Sequence, residues 1–154
     1  MLRKFIAFAL LLIITASCAD VVAEDHSAAD KVTIEKYLAD NNLTAQAKST
    51  SSGLYYIIEK PGGAAHPKYN STVKAFYRGY LTDGKTFDQT SGKALTFSLS
   101  GVIAGWQEGL QLIGVNGKIK LLIPSALGYG SNPPSADIPA NSVLIFDIEL
   151  VEFY

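Results

Sequence analysis

The residues best suited to form a chemical site are aromatic and apolar ones in the second half of the chain. Residues 102–106 contain the only tryptophan, Trp106, close to the apolar pair Val102 and Ile103. The other members of this candidate set are Tyr77, Phe87, Asp88, Gly128, Tyr129, Gly130, Ile138, Pro139, Phe146 and Asp147. Together they predict a pocket walled by aromatic rings, with one or two acids and hydroxyls at its edge.

The groups that usually carry out proton or acyl transfer are scarce. The only histidines are His26 and His66, both outside this set, and the only cysteine is Cys18. The sequence has no metal-ligand spacing, phosphate loop or nucleophile elbow, and residues 128–130 lie in a Ser/Pro-rich loop, unlike a dinucleotide fingerprint. These features favour a site that works by shape and by exclusion of water, and we expect no metal and no cofactor.

The first 18 residues predict a targeting segment. Arg3 and Lys4 precede an unbroken apolar run over residues 5–14. This run is too short for a membrane span of about 20 residues and has the proportions of a secretory signal. We therefore expect the protein to be exported to the cell envelope or periplasm.

Cys18 follows three small residues at the end of this run and resembles the lipidated cysteine of a bacterial lipoprotein signal. Thr15 departs from the aliphatic residue usual at its position, and an ordinary signal peptide with an incidental cysteine is the alternative. Lipidation would make Cys18 the first residue of the mature chain and anchor it to a membrane. With no other cysteine, the mature chain has no internal disulfide.

Length and charge narrow the class of protein further. A chain of 154 residues corresponds to about one domain with extensions. The formal net charge is −1, and it becomes about −3 without Arg3 and Lys4. No basic cluster is present, so we expect no nucleic-acid partner.

The chain divides into a signal at 1–18, a tether with an N-terminal helix at 19–48, and a main domain at 49–154. Residues 27–30 are predicted to cap a helix that runs to about Leu38, with Val32, Glu35 and Leu38 at helical spacing. Asn41 and Asn42 end the helix, and residues 45–53 are interpreted as a polar linker.

The main domain is predicted to be an α+β fold in which an antiparallel sheet wraps over one short helix. The expected helix covers residues 105–113, and the expected turn is at residues 82–85. The strand segments are residues 54–58, 72–81, 95–99, 118–123 and 144–150. In the last strand Leu144, Phe146, Ile148 and Leu150 share one face. The Pro/Gly/Ser-rich loop at 124–141 is long enough to suggest a functional role.

With these segments in order, residues 52–154 resemble the FKBP-type peptidyl-prolyl cis-trans isomerases. The matching stretches are residues 52–56, 77–79, 84–88, 102–109, 123–124, 127–130, 138–139 and 144–150. The resemblance implies the family's fold and its reaction, the rotation of X–Pro peptide bonds, in an exported protein that assists folding. The alternative is a chaperone module that binds peptides in the same pocket without catalysis.

The resemblance also assigns roles to individual residues. Trp106 would be the floor of the pocket, and the Ile103 backbone N–H would hold a substrate carbonyl. The walls would be Tyr77, Phe87 and Phe146, the polar rim Asp88 and Tyr129, and the flanking substrate contacts Val102, Leu95 and Ile138. The expected partners are proline-containing polypeptides and the macrolides that inhibit the family. Phe97 is interpreted as a core residue.

Three departures from the family pattern concern the rim of the pocket. Leu95 stands where many members have an aromatic residue, and the turn at residues 100–101 lacks an acid that some members place there. The pair Pro133 and Pro134 occupies a variable loop position. These differences bear on ligand preference more than on the reaction.

Overall fold

The computed structural model of the chain describes residues 25–154. The predicted signal and Cys18 lie outside the described residues. The helices are α1 (Ser27–Asp40) and α2 (Ala104–Gly109), and 3₁₀ turns cover Leu99–Gly101, Leu110–Leu112 and Ser125–Leu127. The strands are β1 (Lys48–Ser49), β2 (Tyr55–Lys60), β3 (Thr72–Tyr80), β4 (Thr86–Gln89), β5 (Leu95–Ser98), β6 (Lys118–Ile123) and β7 (Leu144–Phe153). No helix within residues 25–154 is long and apolar enough to cross a bilayer.

Within the described residues, the seven strands form one antiparallel sheet in the order β1-β2-β6-β7-β3-β4, and β5 pairs with β3 as well. Strand β7 lies at its centre, between β6 and β3, and its side chains alternate as predicted. Leu144, Phe146, Ile148 and Leu150 are all buried. They belong to the main core, which lies between this face of the sheet and the Trp106-bearing helix α2. The predicted α+β class is confirmed.

Helix α1 covers part of the opposite face of the sheet. Ile34 and Leu38 are buried in a second apolar cluster with Ile57, Leu122 and Val143. Because side chains alternate along a strand, Leu122 faces away from its neighbours in the main core. The N-terminal helix therefore completes the packing of the sheet instead of standing apart from it.

The predicted face of α1 is right at Leu38 and wrong at Val32 and Glu35. The buried residues are Asp30, Ile34 and Leu38, spaced by four, whereas Val32 is 66% exposed. The apolar pattern missed this face because one of its three members is an acid. The predicted cap also differs, since the carboxylate that accepts the N–H of Ser27, at 2.9 Å, belongs to Asp25.

Three other segments differ from the sequence prediction. Lys48 and Ser49, interpreted as linker, pair with Tyr56 and Tyr55 as a short edge strand. Residues 86–89 form strand β4, which is too short to show a clear alternation in the sequence. The predicted helix over 105–113 begins as α2 and finishes as a 3₁₀ turn at Leu110–Leu112. The domain boundary at residue 49 stays a prediction, although it cuts through β1.

Candidate active site

A cavity of about 220 Å³ opens between the sheet, α2 and the long loop after β6. Its lining is mostly aromatic and apolar, and it combines strand residues with loop residues. The lining residues are Tyr77, Asp88, Phe97, Gly101, Val102, Ile103, Trp106, Tyr129 and Phe146. Seven of the residues predicted for the site are among these nine. The sequence therefore located most of this cavity.

Trp106 lies at the centre of the ring cluster. Its ring centroid is 5.2 Å from that of Tyr77, 5.6 Å from that of Phe97 and 5.3 Å from that of Phe146, all in edge-to-face geometry. The residue is only 4% exposed, and its Nε1–H has no hydrogen-bond partner among the described residues. Edge-to-face contacts hold the indole in one orientation, so the floor of the cavity is rigid and apolar.

The polar edge of the cavity is built from a hydrogen-bonded pair on neighbouring strands. The Tyr77 hydroxyl on β3 donates to Oδ2 of Asp88 on β4 at 2.6 Å. The backbone of Tyr77 is fixed by Thr90, whose N–H donates to the Tyr77 carbonyl at 3.0 Å. Burial raises the pKa of Tyr77, and its bond to Asp88 raises the pKa further. Tyr77 is therefore a neutral donor and not a base in the neutral pH range.

Phe87 supports the cavity wall from behind. It is absent from the lining, but its ring lies 5.5 Å from Phe146 in edge-to-face geometry. Both rings pack against the backbone at Gly79, where a Cβ would lie 2.6 Å from Phe146 and 2.7 Å from Phe87. The sequence predicted Phe87 as a wall of the cavity, and the structure places it behind Phe146 instead.

The turn before α2 presents backbone groups to the cavity. The Ile103 carbonyl accepts the N–H groups of Trp106 at 3.0 Å and Gln107 at 3.1 Å, whereas its own N–H donates no hydrogen bond within the described part of the chain. The Gln107 side chain donates to the Val102 carbonyl at 2.8 Å and holds the turn in place. The Ile103 N–H is thus a donor available to a ligand, and sequence reasoning missed Gln107.

Three further residues differ in their relation to the cavity. Phe97, interpreted as a core residue, lines the cavity between Tyr77 and Trp106. The period-two pattern of β5 indicated that Phe97 points inward, but it could not show that Phe97 lines the cavity. Leu95 is 38% exposed and Ile138 is 4% exposed, and neither lines the cavity. Their roles in substrate binding stay predictions.

Tyr129 also lines the cavity, from the loop after β6. Burial raises the pKa of its hydroxyl, and the nearby charge of Asp88 adds to this effect. Among residues 25–154, no histidine or cysteine lines the cavity. His66 lies elsewhere, with its Nδ1 3.0 Å from the Gln111 carbonyl. Within residues 25–154 no three His, Cys, Asp or Glu residues are grouped to hold a metal ion. The arrangement suits an apolar ligand with one or two carbonyl groups.

A second hollow, of about 440 Å³, lies between the start of α1 and residues 49–53. Its lining includes many small hydroxyl residues, among them Ser27, Thr50 and Ser52. The ring cluster around Trp106 does not reach it. The candidate site is therefore the smaller cavity, where rings, backbone donors and the Tyr77–Asp88 pair converge.

Comparison with known proteins identifies the family to which this sequence is similar. The family model of the FKBP-type peptidyl-prolyl cis-trans isomerases matches residues 63–151. The FKBP-type peptidyl-prolyl cis-trans isomerase FkpA of Aeromonas hydrophila is 49% identical over 119 residues, covering 76% of this chain and 44% of the relative. The chain spans about half the length of the curated relatives it matches.

Two crystal structures share the fold. FkpA from Escherichia coli superposes with a TM-score of 0.72 at 42% identity, covering 82% of this chain and 60% of that one. A peptidyl-prolyl cis-trans isomerase from Pseudomonas syringae gives a TM-score of 0.71 at 32% identity, covering 84% and 96%. Coverage of 84% exceeds what residues 52–154 alone could supply, so the likeness extends ahead of residue 52, where the sequence alone showed none.

Proposed function

This chain belongs to the FKBP-type peptidyl-prolyl cis-trans isomerase family, and from that premise we propose that it catalyses the cis–trans rotation of X–Pro bonds in polypeptides. The observation that carries the proposal is the cluster of Tyr77, Phe97 and Phe146 around the buried indole of Trp106. It forms a cavity with an apolar floor and only a few polar groups at its rim.

The chemistry of the amide explains why such a cavity accelerates rotation. Resonance makes the C–N bond partly double, with a rotation barrier of about 18–20 kcal/mol. The uncatalysed reaction at X–Pro takes roughly tens to hundreds of seconds. Resonance and charge separation are lost at the twisted transition state, so water stabilises the planar amide more. A cavity that excludes water therefore lowers the barrier.

Desolvation of the amide lowers the rotation barrier by only a limited amount. Burial of an unpaired amide costs roughly 1–3 kcal/mol on protein mutational scales, and each 1.36 kcal/mol of barrier is about tenfold in rate. Desolvation thus supplies about one to two decades. We assign any rate acceleration beyond this to two other effects. The free Ile103 N–H anchors a substrate carbonyl, and the ring walls select a twisted conformer of the peptide.

An isomerase assay on short X–Pro peptides tests this function. The wild-type protein should speed the approach to cis–trans equilibrium, and Trp106→Ala should lose most of that acceleration. Binding of a family-inhibiting macrolide should quench the fluorescence of Trp106, which is the only tryptophan in the chain. Absence of both quenching and inhibition at high macrolide concentration would show that the cavity does not accept these ligands.

The second candidate is a chaperone module that holds peptides in the same cavity without catalysis. The half-open, ring-lined cavity favours it because such a surface binds apolar side chains whether or not the amide rotates. The two functions differ in one measurement, since only the isomerase speeds the refolding of a protein whose slow phase is proline-limited. Suppression of aggregation without acceleration of that phase would favour the chaperone.

We further propose that the protein is exported to the cell envelope and anchored by lipid on Cys18. The apolar run ahead of Cys18 supports this proposal. Cys18→Ala should release the protein from membranes or leave the precursor uncleaved. A wild-type protein found wholly soluble in the periplasm, with an N-terminus beyond residue 18, would refute the anchor.

A further inference from the structure

The N-terminal helix buries a carboxylate against the loop that carries Tyr129. Asp30 is 5% exposed and Ser125 is 3% exposed, although both are polar. The Asp30 Oδ2 atom accepts two hydrogen bonds from Ser125, one from its backbone N–H at 2.8 Å and one from its hydroxyl at 2.6 Å. Buried carboxylates are costly unless they are well hydrogen-bonded, so this contact fixes Ser125 at a defined distance from α1.

Ser125 in turn holds the backbone on both sides of Tyr129. Its carbonyl oxygen accepts the N–H of Gly128 at 3.0 Å and the N–H of Gly130 at 3.0 Å. Gly130 has a φ of +53°, a left-handed conformation that side chains other than glycine seldom adopt. The same stretch also accepts the N–H of Asn132 at the Tyr129 carbonyl, at 3.1 Å, and the N–H of Asn141 at the Gly130 carbonyl, at 2.8 Å. The Ser125 carbonyl therefore supplies two of the four backbone hydrogen bonds that hold residues 128–130.

Tyr129 lines the same cavity as the Tyr77–Asp88 pair. We infer that Asp30 is a positioning residue, which acts through the Ser125 carbonyl to hold Tyr129 at the rim of the cavity. The N-terminal helix thereby contributes to the site, and the effect of Asp30 on catalysis rests on the proposed isomerase function. Asp30 itself touches no substrate.

Asp30→Ala removes both hydrogen bonds to Ser125, and Asp40→Ala is the matched control. Asp40 lies on the same helix, but it pairs with Lys36 at 2.7 Å on the exposed side. Asp30→Ala should lower kcat/KM about tenfold, within the roughly hundredfold that a misplacement of about 1 Å can cost. Asp40→Ala should change it less than about twofold.

A double-mutant cycle separates positioning from general destabilisation. If Asp30 acts through Tyr129, Asp30→Ala should cost less than about twofold in a Tyr129→Ala background, because coupled residues are non-additive. A tenfold loss that persists in that background would overturn the inference. Should Asp30→Ala fail to fold, Ser125→Ala removes the hydroxyl bond alone, and its smaller loss should vanish in the same background. Asp30→Asn, which keeps an acceptor oxygen, should restore part of the activity.

Amide hydrogen exchange tests the contact without any reference to catalysis. Compared with Asp40→Ala, the Gly128 and Gly130 amides should exchange at least about tenfold faster in Asp30→Ala, because local opening governs exchange. They should also exchange faster in Ser125→Ala than in Asp40→Ala. The amides of β7 should exchange at the same rate in all three variants. Equal exchange at the two glycines would refute the link even if the wild type were an active isomerase. If the wild type has no isomerase activity but the two glycine amides exchange faster in Asp30→Ala, the link stands and the proposed function is rejected.

Discussion

The Tyr77 hydroxyl donates a hydrogen bond to Oδ2 of Asp88 at 2.6 Å, between two neighbouring strands at the rim of the aromatic cavity. The register that pairs Gly79 with Asp88 brings the carboxylate within reach of the ring. Burial and this hydrogen bond both raise the pKa of Tyr77, so its hydroxyl stays protonated as the donor to the carboxylate. We propose that the pair orients polar groups of the substrate and exchanges no proton with it.

The first prediction is that kcat/KM is nearly independent of pH from about pH 6 to 8. No histidine or cysteine of the described part of the chain lines the cavity, and the raised pKa values of Tyr77 and Tyr129 move their titration further above neutrality. The measurement is kcat/KM on a short X–Pro peptide at half-unit pH steps. A bell-shaped profile within this window would show acid–base chemistry in place of desolvation.

Alkaline pH should destabilise the fold through its buried tyrosines. Burial, and then a bond with Tyr80, raise the pKa of Tyr37 to about 12, against about 10 in an unfolded chain. A folded-state pKa above the unfolded value gives stability that is complete below about pH 10 and lost as pH rises toward 12. Urea unfolding between pH 8 and 11 should show this fall. Tyr37→Phe should reduce its slope, and an unchanged slope would contradict the assignment.

Phe87→Ala should reduce kcat/KM more than Asp88→Asn does. Loss of the Phe87 ring removes the support of Phe146 and admits water to the cavity. We expect a loss of more than about tenfold, or about 1.4 kcal/mol of barrier. Asp88→Asn keeps the size of the side chain and an acceptor for Tyr77. Circular dichroism of both variants controls for folding, and a larger loss in Asp88→Asn would assign the carboxylate a direct part in the reaction.

Helix α1 provides a matched pair of stability variants. Ile34 is fully buried in the second cluster and Val32 is 66% exposed, only two residues away. Ile34→Ala should lower the free energy of unfolding by about 2–4 kcal/mol, and Val32→Ala by no more than about 0.5 kcal/mol. Urea unfolding measures both. Equal small losses would mean that α1 is a detachable extension, and a chain starting near residue 49 would then fold at full stability.

The elements with regular alternation could be predicted from the sequence. Leu144, Phe146 and Ile148 repeat with period two and defined the central strand, and Pro124 marked the end of β6. Most residues of the site could be predicted as well, because aromatic residues such as Trp106 and Phe146 are distinctive both in type and in order along the chain.

What the sequence could not show depends on contacts between distant residues. The buried face of α1 includes Asp30, whose partner Ser125 is 95 residues away, so a pattern of apolar residues misses it. Phe97 belongs to the cavity because β5 pairs with β3 beside Tyr77, and Gln107 matters through a side-chain bond to the Val102 carbonyl. Such bonds leave no periodic signal.

The central claim is tested most directly by exchange NMR spectroscopy on a short X–Pro peptide at equilibrium, with and without the protein. The account predicts that a small amount of protein raises the cis–trans exchange rate and leaves the cis and trans populations unchanged. Phe87→Ala should raise the rate much less at the same concentration. Binding that shifts the peptide resonances without raising the exchange rate would contradict the account and identify the cavity as a binding site alone.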